Sequence, residues 1–155
     1  VRTWAPRGQT PILKHRFTWK NASIIAGITK SSFYFNTCDG AARSPSVITF
    51  LKHLRRHIKR KILIVWDGVP THRSNLVKKY IASTHGGIVA QRLPAYAPEL
   101  NPAEFIFGYL KERKIPNFCP DSIQETKKVA RAGLRSMRSN PSLITSFWKG
   151  AKLSP

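Results

Sequence analysis

Acid is the scarcest charge in this chain: seven Asp and Glu stand against 27 Lys and Arg, a net charge of +20, so the balance favours anions over cations as partners. Cysteine is scarcer still. Cys38 and Cys119 lie far apart and fit neither a disulfide framework nor a metal-ligand spacing, so both read as reduced thiols. No stretch approaches the roughly 18 apolar residues of a membrane span, and no signal-peptide core is present. An intracellular protein is expected. Internal repeats and low-complexity tracts are also missing. The sequence starts at Val1, without methionine, inside a basic loop, which reads as a cut edge.

What is present is enough for one compact domain: 155 residues, of which 41% are hydrophobic. A pI near 10.9 points to a polyanion held through phosphate contacts and counterion release. Nucleic acid leads. A membrane surface ranks well below it, because the basic residues are spread along the chain and no long basic amphipathic helix stands alone.

Strands and helices alternate. VRTWAPRGQTP is punctuated by Pro6, Gly8 and Pro11 and reads as a loop. ILKHRF, ASIIAGIT and SSFYFN read as antiparallel strands, closed by the Asp39-Gly40 turn. Ser44-Pro45 opens a helix with Val47, Leu51, Leu54 and Ile58 on one face and Lys52, Arg55, Arg56 and Lys59 on the other. KILIVWDG has the continuous apolar pattern of a central strand covered on both faces, with Asp67 at its carboxyl end. A helix over 74–84 turns Leu76, Val77, Tyr80 and Ile81 inward and Lys78 and Lys79 outward, and Gly86-Gly87 ends it. IVAQRL then returns as a parallel strand. The unit over 61–93 is a βαβ crossover, whose chemistry belongs at the carboxyl edge of its strands. Further helices are expected from Pro102, near 122–137 and after Pro141, with no chemical motif beyond residue 115.

The stretch LPAYAPELNPAEF places a carboxylate, Glu104, in the first turn of the helix from Pro102. Asn101 is a good N-cap, and Asn followed three residues later by Glu is a capping-box arrangement that by itself accounts for the glutamate. Phe105, Ile106, Tyr109 and Leu110 supply the buried face, and Lys111 and Lys114 point outward or toward a ligand.

WDGVPTHRSNLV, followed by RLPAYAPELNPAEFIFGYLK, resembles the second half of the catalytic domain of the DDE transposases of the mariner superfamily, in particular their bacterial insertion-sequence branch. RTWAPRGQTP is similar to the loop after the first catalytic strand of that group. The resemblance runs from Val1 to about Lys114. It implies an α/β, ribonuclease-H-like mixed sheet flanked by helices, with 1–114 a partial catalytic domain and 115–155 a helical extension of it. It implies DNA strand cleavage and transfer with Mg²⁺ or Mn²⁺, transposon-end and target DNA as partners, and a homodimer on paired ends. Asp67 matches the second catalytic acid and Glu104 the third, as catalytic residues and metal ligands. Such carboxylates from separate elements suit a hard cation that leaves coordination places for water and phosphate.

His72, five residues after Asp67, matches a histidine common in the group, near metal or phosphate; as a plain helix-entry residue it would bond to backbone. Asn101 is a further auxiliary residue. His53 and His57 have i, i+4 spacing but read as part of a solvated basic face, and Trp4, Trp19, Trp66 and Trp148 as core or lid residues. Lys52, Arg55, Arg56, Lys78, Lys79 and Lys111 are candidate DNA contacts, although a charge run is usually a solvated surface. Gly68 and Phe107 stand where relatives have asparagine and tryptophan, and neither change removes a ligand.

The first acid of the group belongs to a strand ahead of this loop, and Asp39, in a turn, is a poor substitute. If complete as given, the chain is expected to be truncated and catalytically incompetent, with unpaired strand edges where that strand should lie. The alternative is a non-enzymatic basic nucleic-acid-binding module, or a decayed remnant of such an enzyme. Mg²⁺ dependence separates the two.

Overall fold

The computed structural model describes residues 6–9, 22–94, 98–118 and 120–154. The strand-like run ILKHRF, most of the opening loop, Trp4, Trp19 and Cys119 lie outside these. Among the described residues the order is β1 (Ala22–Ile28), β2 (Phe33–Asp39), α1 (Ser44–His57), β3 (Ile62–Trp66), α2 (Pro70–Arg73), α3 (Asn75–Ala82), β4 (Ile88–Arg92), a 3₁₀ turn (Pro98–Leu100), α4 (Pro102–Tyr109), a π-helical turn (Leu110–Lys114), α5 (Ile123–Arg138) and α6 (Pro141–Gly150).

β1 and β2 form an antiparallel hairpin that pairs Ala22 with Asp39 and Ile28 with Phe33. The strand period of two gives it two faces. Ile24, Ala26, Ile28, Phe33 and Phe35 join the core that α4, α5 and α6 build from Ile106, Leu110, Leu134, Met137, Ile144 and Phe147. Ile25 and Tyr34 pack on the second core, made by Val47, Phe50, Leu51, Leu54, Ile62, Val77 and Ile88. The hairpin is thus the middle layer of a helix–sheet–helix stack. Close approach matters on its helical side: a Cβ on Gly133 of α5 would meet Leu110 Cδ1 at 2.8 Å.

β3 and β4 are parallel, with Ile62 opposite Ile88 and Trp66 opposite Arg92, and α3 crosses between them. This is the expected crossover unit. The coverage differs from expectation. Ile62 and Ile88 are buried, whereas Leu63, Val65 and Val89, on the other face, are 67%, 52% and 52% exposed. α4, α5 and α6 pack mainly on the hairpin and on one another, so among the described residues β3 is covered on one face only. Leu76, expected inward, is also half exposed, because Val77 alone of that pair points into the core. No hydrogen-bonded pairing joins the two sheets among the described residues.

The caps explain where the helices begin. Ser74, Asn101, Ser122 and Asn140 each accept a backbone N–H from the first turn that follows them. α1 departs from the expected cap: its N-cap is Arg43, with no side-chain bond, and Ser44 is already helical. α3 ends at Ala82, ahead of Gly86, and the chain reverses through a turn in which Gly86 has φ +77°. α5 is a basic amphipathic helix of the kind not expected from the sequence, but its apolar stripe of Ala130, Leu134 and Met137 is buried in the core. No helix among the described residues is long and apolar enough to cross a membrane.

Candidate active site

Asp67 follows directly on β3, at the carboxyl edge of the parallel pair. Its carboxylate is held on one side only. Val69 N–H donates to Oδ1 at 3.3 Å, and His72 Nδ1 lies 2.9 Å from the same oxygen. His72 enters from α2, where Pro70 starts a single helical turn that swings the imidazole back over the strand end. Its ring stacks on the Trp66 indole, with centroids 4.5 Å apart and planes 8° from parallel. Nδ1 also sits 3.4 Å from the Asp67 backbone carbonyl. His72 therefore contacts both the backbone and the carboxylate of Asp67. Oδ2 of Asp67 has no protein partner among the described residues, on a side chain 45% exposed.

Glu104 lies in the first turn of α4. Asn101 Oδ1 accepts from Ala103 N–H at 3.2 Å, and Glu104 N–H donates to the Asn101 carbonyl at 3.0 Å. The reciprocal half of a capping box is missing: the exposed Glu104 carboxylate makes no hydrogen bond or ion pair among the described residues. α5 shows the contrast. There Ser122 caps Glu125 N–H, and Glu125 Oε2 accepts the Asp121 N–H at 2.9 Å. The helix start consumes Glu125 and leaves Glu104 free.

The remaining acid before Asp67 is committed elsewhere. Asp39 is the last residue of β2 rather than part of a free turn, and Lys127 Nζ binds its Oδ1 at 2.9 Å. No group of three or more His, Cys, Asp or Glu that could hold a metal ion occurs among the described residues. No hydrogen bond or ion pair links Asp67 to Glu104 among them.

The candidate DNA contacts are dispersed. Lys52 reaches over the Tyr80 ring at 5.8 Å from its centroid, and the Arg55 guanidinium packs against Gly87. Arg56, Lys78, Lys79 and Lys111 are exposed. One cluster was missed by sequence reasoning. Lys127, Arg131, Arg135 and Arg138, spaced at i, i+4, i+8 and i+11, form one stripe of α5, and Arg131, Arg135 and Arg138 share a groove with His53 and His57 of α1. The helical spacing of those cations was the available signal.

A strand-end acid beside a parallel βαβ unit, with a middle-layer hairpin between two helical layers, defines a ribonuclease-H-like mixed α/β fold. Comparison with known proteins agrees: the family model described as DDE superfamily endonuclease matches residues 1–126, and the chain belongs to that family. The Mos1 mariner paired-end complex with Mn superposes with a TM-score of 0.66 at 17% identity, over 98% of this chain and 47% of that one. The Mos1 complex with the left transposon end gives 0.69 at 15% identity, over 99% and 47%. The Mos1 transposase catalytic domain with Raltegravir and Mg gives 0.63 at 16% identity, over 88% and 71%. The chain spans about half the length of the Mos1 chains in the paired-end complexes. No curated relative matches.

Proposed function

We propose that this chain is the larger part of a transposase catalytic core that cleaves and joins DNA strands with the help of Mg²⁺ or Mn²⁺, of the bacterial insertion-sequence branch. The observation that carries the reading is the unused carboxylate of Glu104, beside a cap that has no need of it, together with an Asp67 whose Oδ2 is left open at a strand end. Both are hard oxygen donors from separate elements, which is the donor chemistry a divalent ion of this type requires. Bound there, the ion would supply Lewis-acid activation of an attacking oxygen and stabilisation of the leaving one. His72 and Val69 N–H hold Oδ1 of Asp67 and leave Oδ2 without a protein partner among the described residues. Asn101 fixes the start of α4 and hence the place of Glu104. The surrounding Lys and Arg hold the DNA backbone, with transposon ends and target as substrates and a homodimer as the working assembly.

Two acids do not complete a three-acid set. By the family resemblance the third acid sits on a further strand of the sheet, and β1 and β3 each pair with one neighbour only among the described residues. With two acids in place of three, no cleavage is expected from these residues alone. Residues 115–155 form part of the same domain, since Leu134, Met137, Ile144 and Phe147 share one core with Phe33 and Ile106.

Isothermal titration with Mn²⁺ tests the reading. A single saturable site that disappears in Asp67→Ala and in Glu104→Ala is expected, together with no Mg²⁺-dependent nicking of transposon-end DNA by the chain alone. Mn²⁺ binding unchanged in both variants would leave the non-enzymatic, charge-driven DNA-binding reading. Robust cleavage abolished by Asp67→Ala would overturn the two-acid account.

A further inference from the structure

Along the outer edge of β2, the edge not paired with β1, runs a groove of about 350 Å³ lined by Phe35, Asn36 and Thr37, by His53 and His57, and by Arg131, Arg135 and Arg138. We propose that this groove binds successive phosphates of one DNA strand, as a site separate from the candidate acids. The inference rests on the reading of the chain as a DNA-acting catalytic core and names a contact surface for it.

The stripe on α5 follows the strand residue by alternate residue. Lys127 pairs with Asp39, Arg131 Nε donates to Thr37 Oγ1 at 2.9 Å, and the Arg138 guanidinium stands 5.8 Å from the Phe35 ring centroid. These contacts splint the side chains without neutralising the groove. Asp39 is the nearby acid and is already taken by Lys127; no acid lines the groove itself. The Arg135 guanidinium makes no hydrogen bond or ion pair among the described residues, and Arg131 uses one donor of its guanidinium. On the opposite wall the His53 and His57 rings lie 4.4 Å apart. His53 has its proton affinity lowered by burial first, and then by the positive charges of His57, Arg56 and Arg138. A groove that concentrates cations in this way, with guanidinium forks free, is built for an anion that many donors can share.

The spacing selects a polymer over a single ion. Arg131 to Arg138 covers about 10 Å of helix axis, and a DNA strand presents a phosphate about every 3.4 Å along its own axis. The stripe covers about three phosphate intervals, that is, about four consecutive phosphates. A membrane surface fits poorly, because the apolar face of α5 is buried in the core and the cations sit in a recess.

The test is fluorescence anisotropy of the purified chain with a short labelled duplex of arbitrary sequence, as a function of salt. The double variant Arg135→Ala/Arg138→Ala should bind with the salt slope reduced by about one per arginine and with affinity roughly ten-fold weaker per arginine near 0.1 M salt. Its melting temperature should match that of the parent chain. Lys149→Ala/Lys152→Ala, at and just past the end of α6, should change both quantities less. Wild-type affinity and slope in the arginine variant, or no duplex binding by the parent chain, overturn the proposal. So does a groove-dependent association with phosphatidylserine vesicles that leaves DNA binding unaffected. The catalytic reading is scored separately, by whether Asp67→Ala removes an Mg²⁺-dependent component of binding. That outcome does not depend on the groove.

Discussion

Two glutamates in near-identical local settings have opposite commitments, and substitution separates them. Glu125 accepts a backbone N–H at the start of α5, so Glu125→Ala should cost about 0.5–1 kcal/mol. For a chain of this size that lowers Tm by about 2–4 °C per kcal/mol. Glu104 accepts nothing among the described residues, so Glu104→Gln should leave stability within about 0.5 kcal/mol of the parent while removing the proposed Mn²⁺ site. Thermal melts by circular dichroism, run beside the Mn²⁺ titration, read both. A Glu104→Gln variant that loses as much stability as Glu125→Ala would return Glu104 to a capping role. His72 belongs to the same scale. It touches Asp67 Oδ1 and is clamped on Trp66, so His72→Ala should weaken Mn²⁺ binding about ten-fold by releasing the carboxylate rotamer. His72→Asn, which keeps a donor, should recover part of that loss.

At the scale of elements, the hairpin, the crossover unit and α4 to α6 were legible because periodicity and punctuation agree there. β2 runs on to Asp39, beyond the expected end at Asn36, because its last residues pair with β1 and brace α5. The single turn α2 was not legible, since four residues carry no period, yet it delivers His72 to Asp67. The basic groove escaped because its two walls, α1 and α5, are joined only by folding around the β2 edge. Its electrostatics carry a pH dependence. The pKa of His53 is held below its ordinary 6.5 by burial and by neighbouring positive charge. The unfolded chain therefore binds that proton more readily, and this contribution to stability is lost as pH falls through 6.5 toward the lower folded value. Denaturant midpoints should drop between about pH 7.5 and about pH 5.5, and His53→Gln should flatten that part of the profile. A phosphate strand in the groove reverses the sign. It favours protonated His53, so duplex affinity should rise over the interval in which stability falls.

For the molecule as a whole, the consequence of the fold is an open sheet edge beside an apolar face among the described residues. Leu63, Val65 and Val89 share one face of β3 and β4 and are more than half exposed, and no strand among the described residues pairs with the β3 edge opposite β4. Sequence pattern assigned this strand two covered faces because a run such as ILIV carries no alternation to mark one face as wet. An apolar face beside an open edge invites association with another copy. The net charge of +20 opposes that association, and salt screens the charge. Raising ionic strength should therefore drive the isolated chain into larger species, which light scattering coupled to size exclusion would detect. Leu63→Lys/Val65→Lys should suppress this self-association with little loss of Tm, since both side chains already face water. A sharp fall in Tm would mean that this face is covered within the chain, and the expected self-association would lose its ground.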